Sequence, residues 1–450
     1  MKFTIAFSGL LAALMAPVQS PAQDTPKPPT FSVVYTFTGG SDGLIVEEGE
    51  ELALDRDGNI YGAGFGTMLN PDYCLALGCG IVFKIDRRGK ETILHEFTGA
   101  PDGSNSLAGV TLDNWGNVYG MTETGGTGTP SFPYGYGTVF KIDPAGNESI
   151  LHSFTSVPDG AAPQFFESLT LGKNGDLYGT TYGGGVSGAC PDSSCGTVFK
   201  VTPDGGETVL YRFLGPQADG SAPIGPLAQD EDGNLYGATN SGGAYNGGTI
   251  FKLDPRGKET VLYNFTGGAD GWAPYGVIRD CDGTLYGVTF GGGSGFTYSG
   301  YGVAFKLDSK GNFSVLHTFT NGADGGLPTG QLLRIGTDLY GATLTGGDLT
   351  DINCAGYGGC GVVYKLDSAG NETVLYTFTG FADGDNPSGG LVQDREGNLY
   401  GLTQFGGDLA SPASLCEGYG CGVVYKLSPA HNDQDSKSEF AGGPGLREEK

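Results

Sequence analysis

Short apolar runs separated by polar turns recur along this chain in a unit of four, and the unit returns seven times. In the last complete copy the runs occupy residues 372–379, 390–394, 398–403 and 422–427. We name these runs strands D, A, B and C in that order. Each run is rich in β-branched and aromatic residues and shows no helical periodicity, so the pattern predicts β-strands throughout.

Four landmarks mark the period: a Phe that ends strand D, an Asp-Gly pair after it, a Tyr-Gly pair in strand B and a Lys in strand C. The aspartates of the Asp-Gly pairs are Asp42, Asp102, Asp159, Asp219, Asp270, Asp324 and Asp383. The lysines of strand C are Lys84, Lys141, Lys200, Lys252, Lys306, Lys365 and Lys426. One such unit cannot bury both faces of its sheet alone, so seven copies predict a repeat architecture.

The order of the strands predicts how the repeats are assembled. Strands C and D are apolar at nearly every position, as is typical of strands covered on both faces, and four-stranded sheets packed between neighbours are the blades of a β-propeller. A D-type strand at residues 31–38 precedes the first A strand, and no D strand follows the last C strand. We therefore predict an all-β, seven-bladed β-propeller whose ring closes when residues 31–38 join the last blade, which removes two exposed edges.

The repeat, of the form VLYxFTGxADGxxPxGxLxxDxxGNLYGxT, resembles the GloVer (Gloeobacter–Verrucomicrobia) tandem-repeat family of secreted bacterial proteins. Its A–B hairpin is more distantly similar to that of NHL-like propellers. The resemblance covers about residues 31–426 and implies a propeller outside the cytoplasm, but it implies no particular reaction or catalytic residue. The third and sixth copies depart from it, because residues 172–176 and 334–338 lack the Asp that ends strand A elsewhere. The first copy carries an acidic run in place of P-x-G-x-L, at residues 47–51.

The N-terminus has the pattern of an export signal. Lys2 precedes an apolar stretch at residues 3–16, and Ser20-Pro21-Ala22 offers a small-x-small cleavage site. The apolar stretch is too short to span a membrane. We predict a signal peptide at residues 1–22 and a secreted, periplasmic or cell-surface protein.

Three further segments follow the predicted signal peptide. They are a linker at residues 23–30, the seven-repeat propeller at residues 31–428 and a polar, disordered tail at residues 429–450. The formal charge of −26 argues against nucleic acid as a partner, because phosphates require Lys and Arg. It leaves divalent cations and neutral or basic ligands open.

Eight of the nine cysteines form four close pairs, each directly before strand C. Paired cysteines can be zinc ligands, but these pairs lie in separate repeats and have no accompanying His. We predict local disulfides in an oxidising compartment, with Cys281 left as a free thiol. The predicted bonds are Cys74–Cys79, Cys190–Cys195, Cys354–Cys360 and Cys416–Cys421.

In a propeller the D–A and B–C loops share one face, and the A–B and C–D turns share the other. The first face carries long loops of variable length, which favour binding, and we expect Tyr134, Tyr298 and Tyr301 there to stack on a sugar or a peptide. The seven Asp-Gly aspartates have two interpretations. They either form their own turns or surround the central mouth and hold a polar ligand or a cation, and an all-oxygen site would favour Ca²⁺.

Two functional hypotheses follow. The first is a non-catalytic, monomeric binding protein for a glycan, a peptide or another cell-envelope component. The alternative is an extracellular enzyme, a glycan hydrolase or lyase or a lactonase, that uses carboxylates on the loop face and Ca²⁺. His95, His152 and His317 occupy a D-strand position that is Tyr in other copies, so we expect them to pack as core aromatics. No nucleophile or metal-binding motif is present, and the sequence assigns no catalytic residue.

Overall fold

Seven antiparallel sheets follow one another along the chain, and each corresponds to one repeat. The computed structural model describes residues 27–43, 51–65, 79–106, 109–128, 134–163, 168–186, 190, 195–293, 299–350, 354, 358–409, 416 and 418–429. In these residues all regular structure is β-strand, β1 to β29, and no helix occurs. The predicted all-β, seven-bladed propeller is confirmed.

Each blade has the predicted A-B-C-D strand order. The A strands are β2 (Ala53–Leu54), β6 (Thr111–Leu112), β10 (Thr170–Leu171), β14 (Ser221–Gln229), β18 (Trp272–Pro274) with β19 (Ile278–Arg279), β23 (Gly326–Ile335) and β27 (Asp385–Gln393). The B strands are β3 (Ile60–Gly64), β7 (Val118–Thr122), β11 (Leu177–Thr181), β15 (Leu235–Ser241), β20 (Leu285–Gly291), β24 (Asp338–Thr345) and β28 (Leu399–Phe405).

The other two strands of each blade complete the sheet. The C strands are β4 (Ile81–Ile85), β8 (Thr138–Ile142), β12 (Thr197–Val201), β16 (Thr249–Leu253), β21 (Val303–Leu307), β25 (Val362–Leu366) and β29 (Val423–Ser428). The D strands are β5 (Glu91–Glu96), β9 (Glu148–Ser153), β13 (Glu207–Arg212), β17 (Glu259–Asn264), β22 (Phe313–Thr318), β26 (Glu372–Thr377) and β1 (Thr30–Thr36).

The A strand of the last blade begins earlier than predicted. The sequence predicts a strand at residues 390–394, but β27 begins at Asp385. The segment before Gly390 continues to pair with β28, and a break in register between Ser388 and Val392 absorbs the extra residues. A bulge of this kind bends a strand without ending it, which the apolar pattern does not reveal.

The ring is closed by the N-terminal strand, as predicted. Strand β1 pairs antiparallel with β29 from Thr30 opposite Ser428 to Thr36 opposite Val423, so the last sheet has the order β1-β29-β28-β27. In addition, the Phe31 ring stacks on Tyr376 of the preceding blade at a centroid distance of 3.9 Å. Strand β1 therefore completes the seventh blade and also contacts the sixth.

Adjacent blades are joined by a buried aromatic pair at all seven interfaces. The Phe that ends strand D of one blade meets the central ring of strand C in the next blade edge-to-face, with centroids 5.0 to 5.3 Å apart. Such pairs contribute about 0.5–1.5 kcal/mol beyond the burial of their area. The pairs are Phe37–Phe83, Phe97–Phe140, Phe154–Phe199, Phe213–Phe251, Phe265–Phe305, Phe319–Tyr364 and Phe378–Tyr425.

The same C-strand ring explains the Gly of the Tyr-Gly pair. A Cβ atom placed on Gly62 would lie 2.5 Å from Cζ of Phe83, well inside van der Waals contact. At Gly237 it would lie 2.6 Å from Cζ of Phe251. The backbone of strand B is therefore the surface on which the strand C ring lies, and only glycine leaves room for it.

A second inter-blade contact is a main-chain hydrogen bond at the start of the A segment. Asn105 has φ 56°, and its N–H donates to the Cys79 carbonyl of the preceding blade at 2.7 Å. Five other blades repeat the bond over 2.8 to 3.2 Å from a residue that also has a positive φ. Those donors are Ala162, Ala222, Ala273, Leu327 and Asn386. A left-handed backbone costs a non-glycine residue roughly 1 kcal/mol, so its recurrence indicates that the inter-blade bond requires this conformation.

Deleting residues 24–40 should sharply destabilise the propeller, because it removes β1 and the Phe37–Phe83 contact. Loss of one buried Phe side chain alone costs about 3–5 kcal/mol. Chemical denaturation followed by circular dichroism measures the free energy of unfolding. Deleting residues 430–450 is the control, and unchanged unfolding after the first deletion would contradict this closure.

Candidate functional site

Exposed large apolar side chains are concentrated on the face that carries the D–A and B–C loops, which we call the loop face. Ten of the thirteen among the described residues lie in those loops. They are Tyr134, Val157, Tyr182, Leu214, Tyr245, Tyr301, Leu349, Phe381, Leu409 and Tyr419. The others are Val33 and Val315 on outer strands and Trp115 at an A–B turn. The loop face thus offers aromatic surface for a ligand.

Two of the three predicted stacking tyrosines can be located. Tyr134 is 52% exposed and Tyr301 is 42% exposed, and both lie in B–C loops of the loop face. Tyr298 lies outside the described residues. Their role in ligand binding stays a prediction.

Each Asp-Gly aspartate is bonded within its own loop. Asp102 accepts hydrogen bonds from the main-chain N–H of Thr98 at 2.8 Å and from the Thr98 hydroxyl at 3.0 Å. Five other aspartates make the same pair of bonds to a Thr four residues earlier: Asp42, Asp159, Asp270, Asp324 and Asp383. Asp219 accepts the N–H of Leu214 instead. The aspartates thus order the D–A loop, and any ligand contact stays a prediction.

A ring on strand D bonds the same carboxylate in every blade. Tyr263 donates to Asp270 at 3.0 Å, and Tyr376 donates to Asp383 at 2.9 Å. Nε2 of His95 lies 3.1 Å from Asp102 at the equivalent position. The three histidines are partly buried and pack edge-to-face on the Phe two residues later. Because strand D is the outermost strand of its blade, these aspartates lie at the outer side of the ring.

At five blade interfaces a glutamate that begins strand D of the next blade faces this pair. The glutamates are Glu91, Glu148, Glu207, Glu259 and Glu372. We call the D-strand ring, the aspartate and the glutamate of the next blade a rim cluster. At the two remaining interfaces an aromatic ring replaces the glutamate: Phe313 stacks on Tyr263 at 4.1 Å, and Phe31 stacks on Tyr376.

The rim clusters place two carboxylates close together in a partly buried site. Burial, with a further contribution from the Asp42 charge, raises the pKa of Glu91 to about 7, although a hydrogen bond from Tyr35 opposes the shift. Burial and the neighbouring aspartate likewise raise the pKa values of Glu259 and Glu372 to about 7. The pKa of Asp102 is lowered: its burial acts in the opposite direction, but bonds from His95 and Thr98 outweigh it.

The central channel contains one carboxylate that sequence reasoning did not single out as a site. Glu51 projects from the first blade, and its Oε2 accepts a hydrogen bond from Ser168 of the third blade at 3.0 Å. A main-chain N–H of Gln331 in the sixth blade also bonds it. Burial raises the pKa of Glu51 to about 7. The carboxyl group thus connects three blades across the axis. At the position equivalent to Glu51, the second, fifth and seventh blades have glycine.

Several buried polar atoms near the start of the A segments have no hydrogen-bond partner within the described part of the chain. They are Asn105 Oδ1, Thr329 Oγ1, Asp385 Oδ1, Asn386 Oδ1, Ser388 Oγ and Gln404 Nε2. Burial raises the pKa of Asp385 to about 6. Buried polar groups are normally paired, so the oxygens of this region can accept hydrogen bonds from a ligand or from water, and Gln404 Nε2 can donate one.

Disulfides constrain the B–C loops of the loop face directly before strand C. The predicted bonds Cys190–Cys195, Cys354–Cys360 and Cys416–Cys421 are confirmed. Cys79 is also disulfide-bonded, and its predicted partner Cys74 lies outside the described residues. Cys281 is a free, exposed thiol, as predicted. The carbonyls of Cys79, Cys195 and Cys360 accept the inter-blade hydrogen bonds described above, so the disulfides hold those acceptors in place.

On the opposite face, the A–B turns use their own polar groups. Asp55 accepts bonds from the N–H groups of Asp57 and Asn59, from the Asn59 amide and from the Tyr61 hydroxyl. Its oxygens are therefore occupied by the turn. Lys84 lies over the Tyr61 ring at 5.1 Å.

The third and sixth blades lack the aspartate that ends strand A, and each has an aspartate later in the A–B hairpin instead. In the third blade Lys200 pairs with Asp176 at 3.2 Å, and in the sixth Lys365 pairs with Asp338 at 3.1 Å. Both aspartates stand where the other blades have Asn or Thr. The carboxylate is thus kept near the strand C lysine although its place in the sequence has moved.

A cleft of about 210 Å³ lies on this opposite face between the seventh and first blades. Arg56, Arg87 and Arg395 line it together with Asp55 and Asp394. Arg87 pairs with Glu396 at 3.5 Å, and Arg56 donates to Asn114 at 2.7 Å. Two of its arginines are therefore engaged within the protein.

Comparisons with known proteins identify the repeat and the fold. The profile of the Gloeobacter/Verrucomicrobia repeat matches residues 48–297 and 260–449. A fungal alcohol oxidase in complex with copper superposes with a TM-score of 0.52 at 12% identity, covering 90% of this chain and 76% of that one. A gluconolactonase from Xanthomonas campestris superposes with a TM-score of 0.40 at 13% identity, covering 92% and 99%. No curated protein matches. At 12% identity, the likeness to the alcohol oxidase shows the fold alone. Among the described residues no helix is long and apolar enough to cross a membrane.

The rim glutamates should make the propeller less stable as the pH rises. In the folded protein the pKa of Glu91, Glu259 and Glu372 is about 7, above the ordinary value of 4.5. The stability that their protonated side chains contribute is therefore fully present below pH 4.5 and is lost as the pH rises through about 7. The free energy of unfolding should therefore fall between about pH 5 and about pH 8. In the triple variant E91Q/E259Q/E372Q, whose side chains cannot ionise, denaturant titrations should show a flatter dependence. Substituting the exposed Glu231 and Glu396 is the control, and an equal slope in the triple variant and wild type would contradict the prediction.

Proposed function

This chain belongs to the Gloeobacter/Verrucomicrobia repeat family, and we propose that it is an exported, non-catalytic propeller that binds a glycan, a peptide or another cell-envelope component on its loop face. The observation that carries the proposal is the concentration of exposed large apolar side chains on that face. The opposite face repeats tight turns in which the aspartate that ends strand A is already bonded, as at Asp55, Asp113, Asp230 and Asp394. Binding surface is thus available on one side of a rigid ring.

A glycan fits this surface best among the three ligand classes. Aromatic rings on glycine-rich loops suit the apolar faces of sugar rings. The unpartnered buried oxygens of Asn105, Asp385 and Asn386 lie near the same face and can accept hydrogen bonds from sugar hydroxyls. The formal charge of −26 disfavours anionic ligands.

Export is supported by cysteine chemistry and by the N-terminal pattern. Three local disulfides and a further bonded cysteine, Cys79, are typical of an oxidising compartment. Residues 1–22 have the features of a signal peptide, and residues 23–30 those of a linker. We propose that the mature protein begins after Ala22 and acts as a monomer outside the cytoplasm.

Replacing Tyr134, Tyr298 and Tyr301 with Ala should weaken ligand binding while leaving the melting temperature nearly unchanged. A glycan array on the purified protein identifies the ligand, and calorimetry with that glycan measures the affinity. We expect at least ~10-fold weaker binding, since aromatic anchors dominate such interfaces. Trp115 is the matched control, because it is 79% exposed on the opposite face. If binding survives the triple substitution but is lost in W115A, the ligand binds the opposite face and the proposal is wrong.

Catalysis is the second candidate function, and Glu51 is the observation that favours it. A carboxylic acid whose pKa lies near 7 has the protonation behaviour of a general acid, and this one lies on the propeller axis. The alternative is a glycan hydrolase or lyase or a lactonase, with Ca²⁺ held by carboxylates on the loop face.

Panels of glycans and lactones incubated with the purified protein, with and without Ca²⁺, decide between binding and catalysis. The binding proposal expects no turnover. Turnover by the wild type that falls by ~100-fold or more in E51Q would establish an enzyme, because that variant keeps the shape of the side chain and removes its proton transfer. Glu231→Gln, at an exposed turn, is the control.

A further inference from the structure

Three of the rim clusters combine an imidazole with two carboxylates, and in two of them the donor atoms lie close enough together to share one ion. We infer that each of these two is a binding site for a divalent transition-metal ion of the Zn²⁺ type. The first cluster is His95, Asp102 and Glu148, and the second is His152, Asp159 and Glu207. In each, the histidine and aspartate come from one blade and the glutamate begins strand D of the next. The ion would therefore connect the first blade to the second and the second to the third, at the outer side of the ring.

The donor atoms are already near coordination geometry. His95 Nε2 lies 3.1 Å from Asp102, and His152 Nε2 lies 3.2 Å from Asp159. Ligands bound tetrahedrally to Zn²⁺ at about 2.0–2.1 Å are about 3.3 Å apart. In each cluster one atom from every residue lies within 4.8 Å of the others. A shift of at most ~1.5 Å in the glutamate side chain would then complete a three-ligand set.

In both clusters some carboxylate oxygens are left without a hydrogen-bond donor, although the histidine bonds the aspartate. Glu148 Oε1, Asp159 Oδ1 and Glu207 Oε1 are buried and have no hydrogen-bond partner in the described part of the chain. Leaving a carboxylate oxygen buried and unpaired is unfavourable. A divalent cation balances the two carboxylate charges and satisfies these oxygens together.

The chain also contains the comparison sites that show why the imidazole matters. Unpartnered glutamate oxygens recur at Glu91, Glu259 and Glu372. At the first two, the third group is the hydroxyl of Tyr35 or Tyr211. A neutral phenol is a poor ligand for such an ion, whereas imidazole is a common one. At His317, Asp324 and Glu372 the donor atoms are not gathered within the 4.8 Å that the other two clusters meet.

The ligand set selects the class of metal. One nitrogen and carboxylate oxygens suit Zn²⁺, Co²⁺ or Mn²⁺, whereas Ca²⁺ takes oxygen ligands only. Three protein ligands leave a coordination position for water. These sites therefore differ from the Ca²⁺ site that the sequence suggested for the seven aspartates alone.

The test is a titration of the full-length mature protein, freed of metal by a chelator, with Co²⁺ and then with Zn²⁺ as competitor. We expect two equivalents bound in the presence of excess Ca²⁺ and Mg²⁺, with a visible Co²⁺ spectrum that Zn²⁺ abolishes. The variants H95Y and H152Y should each lose one equivalent. Tyr is the residue that the chain itself uses at this position in four other blades, so these variants keep the ring-to-aspartate bond and the fold.

The matched control is H317Y, which should retain both equivalents. E148Q is a second variant of the first site; it leaves the histidine in place and should lose the same equivalent as H95Y, so the result does not depend on one substitution folding well. Undiminished binding in the H95Y/H152Y double variant, loss of an equivalent in H317Y, or no tight binding in the wild type would each overturn the proposal.

Discussion

The propeller depends on the contact between the Phe that ends strand D of one blade and the ring in strand C of the next. The contact has the same edge-to-face geometry at every interface, from Phe97–Phe140 to Phe378–Tyr425. It also dictates the glycine of strand B, since a Cβ on Gly120 would lie 2.4 Å from Cζ of Phe140. Every blade therefore requires a D strand to engage its neighbour. The last blade obtains one only from residues before the first A strand, which is why the ring closes through β1.

The parts of this structure that sequence could predict are those that repeat in the chain itself. The strand period, the closure and the paired cysteines follow from spacing alone. The left-handed residues of the A segments do not, because Asn105, Ala162 and Leu327 share a backbone conformation and no side-chain chemistry. The rim clusters were also missed, since their glutamate belongs to the next blade. The signal was nevertheless present: a Glu recurs at the start of strand D, and an Asp-Gly follows each D strand.

The positions at which a blade departs from the repeat distinguish residues that the fold requires from residues that have a role of their own. The third and sixth blades lack the aspartate that ends strand A, yet Asp176 and Asp338 return a carboxylate to the strand C lysine. The constraint there is local charge balance, which any nearby position can satisfy. Glu51 is different, because no other described blade has an acid at the equivalent position and its contacts cross the axis to Ser168. Such an exception is better explained by a role of its own than by the fold.

The choice between Tyr and His on strand D follows the same logic. Both rings pack on the following Phe at similar distances, 5.1 Å for Tyr35 and 5.0 Å for His152. Both also bond the Asp-Gly aspartate. Packing and loop order are therefore equally served by either residue, and neither explains why three blades carry His. What the imidazole adds is a nitrogen that can bind a metal ion. These positions can thus acquire a binding property without changing the contacts that hold the blades together.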